Sequence, residues 1–148
     1  MKNYKLIISY DGTNFHGFQI QKDKTTVQGE FQKALEIFTE KYELNYSGRT
    51  DAGVHAKSQV INIKTELAIN NKTINSLNKI LGSKISINSF KTVKDSFHAR
   101  YDAFERTYKY FVSDINQQYP YLGSQSYIYP KKLDLKKLND MAELFVGE

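Results

Sequence analysis

The chemistry that this chain can support is concentrated in a stretch of ten residues, 47–56 (SGRTDAGVHA). Asp51 lies at its centre, with Arg49 two residues before it. An opposite charge close by favours the ionised form of a carboxylate, and an ionised Asp51 could act as a nucleophile or as a base. The alternative is that Arg49 and Asp51 only pair with each other in a polar turn. The residues alone leave both possibilities open.

Two apolar-alternating runs flank this stretch, so we predict a loop between two strands, at about 44–47 and 59–65. Gly48 and Gly53 allow a sharp turn or a close backbone approach. His55 is expected to form a hydrogen bond that steadies the loop. The three histidines show no metal-binding spacing, and no metal site is predicted.

Two further stretches combine aromatic and polar side chains: residues 10–21 (YDGTNFHGFQIQ) and 97–110 (FHARYDAFERTYKY). In the first, Phe15 and Phe18 suit either stacking on nucleic acid or plugging the core beneath a loop. In the second, Tyr108 and Tyr110 alternate with polar residues and are predicted to share one face of a strand with Val112. A core position for either tyrosine is the alternative.

The unbroken GRTDAGVH of residues 48–55 resembles the catalytic motif of the tRNA pseudouridine synthase A family, and the two other stretches resemble that family's remaining motifs in the same order. The resemblance covers the whole chain. It implies that Asp51 is the catalytic aspartate, that Tyr108 packs against the target base, and that Arg49 enters the RNA where the base leaves. It also assigns His55, Arg100 and Arg106 to substrate binding.

The implied reaction is isomerisation of uridine to pseudouridine in the anticodon stem-loop of tRNA, after the base has been flipped out. Asp51 would either attack the anomeric carbon of the sugar or take a proton from the sugar. The resemblance further implies that no cofactor is needed and that family members are homodimers. They also continue into a second domain, so residues 1–148 are expected to form an N-terminal domain that folds but has little activity alone. Two alternatives are a non-catalytic RNA-binding module on the same scaffold and a structural domain without RNA affinity.

The composition agrees with a polyanionic partner. The net charge is +5, the isoelectric point is about 9.2, and only three of the 21 basic residues are arginines: Arg49, Arg100 and Arg106. All three fall within the motif stretches, and a guanidinium binds phosphate bidentately and stacks on bases. There is no cysteine and no apolar run of the roughly 20 residues that a bilayer requires. A soluble cytoplasmic protein is therefore expected.

The order of predicted elements is strand, helix, strand, strand, helix, strand, strand, helix. One helix is predicted over 26–40, with Thr25 and Gln28 as a capping box. Another begins at Asn70 or Asn71 and ends at Gly82, and a last one is capped by Asp134. Residues 116–131 are predicted to be an irregular connector with a short strand near 126–129. This order predicts an α+β fold with a ferredoxin-like, RRM-like antiparallel sheet backed by helices.

Overall fold

The computed structural model describes residues 1–114 and 125–147. It divides into two compact units, Met1–Glu105 and Arg106–Glu148. The elements of the first unit, in chain order, are β1 (Lys2–Tyr10), α1 (Val27–Glu36), β2 (Tyr42–Tyr46), β3 (Ala56–Thr65), α2 (Asn71–Leu81) and β4 (Ile85–Val93).

The four strands form one antiparallel sheet in the order β2-β3-β1-β4. Two strand-helix-strand units that interleave in this way give the ferredoxin-like arrangement. The two central strands adjoin the loops that carry sequence motifs: β1 leads into the loop of residues 11–21, and β3 follows the loop of residues 47–55. The predicted fold class, an antiparallel sheet backed by helices, is confirmed.

One face of the sheet packs against both helices because alternate residues of a strand point to opposite faces. From Tyr4 onward, the even-numbered residues of β1 are buried, and Leu6 lies opposite the buried Ile61 of β3. Phe31 of α1 and Leu77 of α2 close this core from above. Full burial of each such side chain is worth about 1.5–3 kcal/mol, so this layer dominates the stability of the unit.

Helix α1 begins at Val27, one residue later than predicted, and is shorter than predicted. The capping box at Thr25 was wrong: the side chain of Thr26 accepts from the Gly29 amide at 3.2 Å. The Gln28 side chain instead accepts from the Ile20 amide at 3.2 Å, which ties the preceding loop to the helix. The helix ends at Glu36 rather than at about residue 40, so Phe38 lies beyond it.

Helix α2 and strand β4 agree with their predictions. Asn70 is the N-cap, accepting from the Thr73 amide at 3.0 Å, and Gly82 with φ of +66° ends the helix. In β4 the register shifts by one residue opposite Ile7 and Ile8. This bulge returns Phe90 to the helix-covered face after Ile85 and Ile87.

The second unit contains β5 (Phe111–Asp114), β6 (Ser126–Tyr129) and α3 (Leu135–Ala142), followed by a 3₁₀ turn, Glu143–Phe145. Strands β5 and β6 pair in parallel. The predicted strand at 126–129 is confirmed, and so is the cap at Asp134, which accepts from the Lys137 amide at 3.0 Å. Residues 116–124 of the predicted connector lie outside the described residues.

Two predictions for this region were wrong. Strand β5 begins at Phe111, so Tyr108 and Tyr110 precede it rather than sharing a strand face with Val112. Both tyrosines are exposed, at 62% and 90%, which also excludes the core position considered for them. None of the apolar side chains of α3 is buried.

In the part of the chain that the structure describes, no helix is both long and apolar enough to cross a membrane.

Candidate active site

Asp51 is carried by the central loop, residues 47–55, which connects β2 to β3. The loop leaves the sheet where the Ser47 amide donates to the carbonyl of Val60 at 2.9 Å. A second loop, residues 11–21, follows β1 and lies against it; we call it the first loop. Because β1 and β3 are adjacent and antiparallel, the end of one and the start of the other bring these two loops together.

The first loop holds the central loop immediately before Asp51. The hydroxyl of Tyr10, at the end of β1, lies 2.8 Å from Oγ1 of Thr50. The Phe18 amide donates to the carbonyl of Thr50 at 3.0 Å. Gly17 has φ of +93°, and a Cβ there would lie 2.9 Å from the same carbonyl oxygen. Thr50 is therefore held through both its side chain and its backbone.

The first loop also holds the central loop after Asp51. The Gly53 amide donates to the carbonyl of Phe15 at 3.2 Å, and the Val54 amide closes a turn on the carbonyl of Asp51 at 3.2 Å. Gly12 lies so close that a Cβ would come within 2.1 Å of the Val54 carbonyl oxygen. Asp51 thus sits on a turn whose two flanks are both fixed by one neighbouring loop.

The Asp51 side chain itself is exposed, and so is Arg49. Within residues 1–114 and 125–147, the Asp51 carboxylate forms no ion pair and no side-chain hydrogen bond. The alternative in which Arg49 and Asp51 only pair with each other is therefore wrong. The hydrogen bonds on either side of Asp51 are made by Thr50 and by backbone groups of residues 51–54 rather than by the carboxylate. The carboxylate is consequently left open to an incoming ligand.

His55 performs the steadying role expected of it. Its Nδ1 lies 3.1 Å from a carboxylate oxygen of Asp11 and 3.3 Å from the Gly12 amide nitrogen. The same Asp11 oxygen accepts from the hydroxyl and the amide of Thr13, at 2.6 and 3.0 Å. These two bonds, with a smaller contribution from His55, lower the pKa of Asp11. His55 therefore joins the base of the central loop to the first loop.

The aromatic residues of the first loop belong to the core. Phe15 and Phe18 are 3% and 2% exposed. The Phe18 ring lies between those of Tyr10 and Tyr46, with centroids at 6.0 and 4.8 Å. Of the two possibilities for Phe15 and Phe18, core packing is correct and stacking on nucleic acid is excluded. Their burial is what fastens the first loop to the sheet.

The remaining predicted site residues fall in two places. Arg100 lies in the first unit, exposed, in a turn where its amide donates to Nδ1 of His98 at 3.1 Å. Arg106 and Tyr108 belong to the second unit, and both are exposed. The first unit thus brings together Asp51, Arg49 and His55. The assignments of Arg106 and Tyr108 to the site stay predictions.

Sequence reasoning missed the residues that fix the central loop. Tyr10, Gly12 and Gly17 belong to the stretch 10–21, and the sequence analysis linked none of them to residue 51. The signal available was a pair of glycines around an aromatic residue directly after a buried strand, which is typical of a loop that another backbone approaches closely. Also missed was Asn62, a polar residue between Ile61 and Ile63 in an otherwise apolar run.

Comparison with known proteins gives concordant matches. Residues 6–102 match the family model described as tRNA pseudouridine synthase. Proteins named tRNA pseudouridine synthase A are 43% identical in Borrelia garinii subsp. bavariensis and in Borreliella burgdorferi, and 40% identical in Borrelia turicatae. These alignments cover 99–100% of this chain and 61% of each relative. The chain therefore spans about three fifths of the length of the curated relatives that it matches.

Proposed function

Since this chain belongs to the tRNA pseudouridine synthase family, we propose that residues 1–148 are the N-terminal, aspartate-bearing domain of an enzyme that converts uridine to pseudouridine in the anticodon stem-loop of tRNA. The observation that carries the proposal is the placement of Asp51. An exposed carboxylate on a turn fixed at both flanks has the preorganisation that a reacting group requires.

The reaction moves one bond. The bond between N1 of uracil and C1′ of the ribose breaks, the base turns, and a bond forms between C5 and C1′. The hydrogen on C5 leaves as a proton, and N1 gains one, so no electrons are exchanged with a cofactor. Asp51 assists either by attacking C1′ or by removing a proton from the sugar.

A uracil within a stem has to be extruded before it can react, at a cost of a few kcal/mol. We assign Arg49, exposed two residues before Asp51, to the gap that the base leaves. Tyr108 is assigned to stacking on the extruded uracil, which its exposure allows. Arg100 and Arg106 would contact the RNA backbone, and His55 would keep the central loop in place.

The alternative of a non-catalytic RNA-binding module receives less support. Modules of the RRM type stack bases on aromatic residues of the sheet face opposite the helices. Here β3 has no aromatic residue, and Tyr4 and Tyr10 of β1 lie on the helix-covered face. The described sheet therefore offers no stacking platform, whereas the central loop offers an open carboxylate.

The test is release of tritium from tRNA labelled at C5 of uridine. Asp51→Asn should abolish release, whereas Asp23→Asn, a matched change at another exposed aspartate, should not alter it. Undiminished release by Asp51→Asn would contradict the proposal. We expect little release from this chain alone, because the proposed site also draws on the remaining length of the relatives. In that case the same three proteins are compared in a chain extended to that length.

We propose that the protein works in the cytoplasm and that the enzyme is a homodimer in which each tRNA contacts both subunits. Light scattering of the complex with tRNA tests the second statement. A complex with one protein chain per tRNA that is active in the tritium assay would contradict it.

A further inference from the structure

Two asparagines are buried on the face of the sheet that the helices do not cover. Asn3 of β1 is 2% exposed and Asn62 of β3 is fully buried. Burying an amide without hydrogen bonds costs roughly 1–3 kcal/mol on the scale of protein mutations. Two buried asparagine amides therefore need hydrogen-bond partners for their polar atoms.

The two amides form a relay that reaches out of the sheet. Nδ2 of Asn62 donates to Oδ1 of Asn3 at 3.0 Å, and Oδ1 of Asn62 accepts from the Ala99 amide at 2.9 Å. Nδ2 of Asn3 lies 2.9 Å from the carbonyl oxygen of Phe97 and 3.1 Å from that of Lys94. Every one of these contacts beyond the pair itself goes to the segment 94–99, and each contact spans 37 or more residues of sequence.

The segment that the relay holds ends at Arg100. The Ala99 amide is fixed by Asn62, and Ala99 is 2% exposed. The next amide, that of Arg100, is fixed by Nδ1 of His98 at 3.1 Å, and the His98 amide is held by Asp102 at 2.9 Å. The backbone of Arg100 is therefore set from both sides, while its guanidinium is exposed and lies 5.9 Å from the ring centroid of Tyr101.

We infer that Asn3 and Asn62 are positioning residues, which set where the guanidinium of Arg100 meets the phosphate backbone of the RNA. The inference rests on the proposed function, because it requires that Arg100 contacts RNA. An apolar pair could fill the same space, but it would leave the Ala99 amide buried without an acceptor and the segment without a defined place. The relay supplies that place through groups that never touch the RNA.

The experiment measures tRNA affinity of the 148-residue chain at several salt concentrations for Asn62→Leu, Arg100→Ala and the double variant. Each phosphate contact contributes about 0.7–0.9 to the slope of log affinity against log salt. We expect Asn62→Leu and Arg100→Ala to weaken binding by similar factors, each of up to about tenfold. Each variant should also reduce the slope by the contribution of one phosphate contact. The double variant should lose no more than Arg100→Ala alone, because both changes remove the same contact.

The matched control is Asn45→Leu. Asn45 of β2 lies directly opposite Asn62 on the same face of the sheet, and its side chain makes no hydrogen bond with a described residue. This variant should keep the affinity and the slope. Hydrogen exchange supplies a second measurement: the Ala99 amide should lose protection in Asn62→Leu and keep it in Asn45→Leu.

If Asn62→Leu does not fold, Asn3→Ser replaces it as a smaller change at the other end of the relay. The slope expected for Asn3→Ser is the one given above for Asn62→Leu. Additive losses in the double variant, or an unchanged slope in Asn62→Leu, would overturn the inference and leave the proposed function intact. Absence of tRNA binding by the unchanged chain would likewise overturn the inference, whereas the proposed function is contradicted only by undiminished tritium release from Asp51→Asn.

Discussion

The first loop and the stretch 103–110 are both rich in aromatic residues, yet the structure treats them in opposite ways. Phe15 and Phe18 of the first loop are 3% and 2% exposed, whereas Phe104 and Tyr110 are 98% and 90% exposed. The first loop is tied by its backbone to the central loop and to α1, and its rings complete the core. The difference separates aromatic residues that hold the site from those that are available to a ligand.

The largest expected effect is that of removing a ring that holds the first loop. Phe18→Ala deletes a buried side chain that packs between Tyr10 and Tyr46, and it should lower the free energy of unfolding by about 3–5 kcal/mol. Phe104→Ala, the same change at an exposed ring, should alter it by no more than about 0.5 kcal/mol. Urea unfolding measures both. Equal losses would mean that the two regions do not differ as described.

The close approach of the two loops is tested by Gly12→Ala. The new Cβ would meet the Val54 carbonyl oxygen, so one loop has to move, at a cost of about 2–3 kcal/mol. Gly53→Ala is the control. A Cβ at Gly53 would meet no atom within 4 Å, but φ there is +80°, so the variant should cost only the backbone strain of about 1–2 kcal/mol. Thermal or urea unfolding compares the two. A smaller cost at Gly12 than at Gly53 would contradict the tight apposition of the loops.

A smaller effect is expected from Tyr10→Phe, which removes only the hydroxyl that lies 2.8 Å from Thr50. The loss should be about 1 kcal/mol, the usual net value of one hydrogen bond. Tyr46→Phe removes a hydroxyl that makes no hydrogen bond with a described residue, and it should cost less. If the unfolding midpoints of the two variants coincide, the Tyr10 hydroxyl does not secure the central loop.

The smallest effect concerns Asp11. Hydrogen bonds from Thr13, together with His55, lower the pKa of Asp11 from its ordinary value of 3.8. A carboxylate with a lowered pKa in the folded state stabilises above the unfolded pKa, and this stabilisation is lost as pH falls through the folded one. Asp11→Asn should therefore cost well under about 1 kcal/mol near pH 7. The difference from the unchanged chain should close in unfolding curves below pH 3.8. A constant difference across pH would show that the charge plays no part.

Much of the fold could be predicted because its signals are local. Helix α2 and its caps follow from a period-3.6 stripe between an asparagine and a glycine, and β1 and β3 follow from alternation. The predictions of element boundaries were wrong where a local sequence pattern fitted two structures equally well. Thr25 and Thr26 are both capable caps, and in the structure the cap is Thr26, directly before Val27, which packs in the core. Tyr108 and Tyr110 alternate with polar residues as strand residues do, but strand β5 begins only at Phe111.

The sequence by itself singled out the residues to which we assign the chemistry. GRTDAGVH places Asp51 between two glycines on a loop, and the order of elements determined the ferredoxin-like sheet, because side-chain type and periodicity are properties of the chain. Only the tertiary structure decided that Arg49 does not pair with Asp51, that Phe15 and Phe18 lie in the core, and that Tyr10, Gly12 and Gly17 fix the central loop. These facts depend on contacts between segments some 40 residues apart in sequence, and such contacts exist only once β1 and β3 lie side by side.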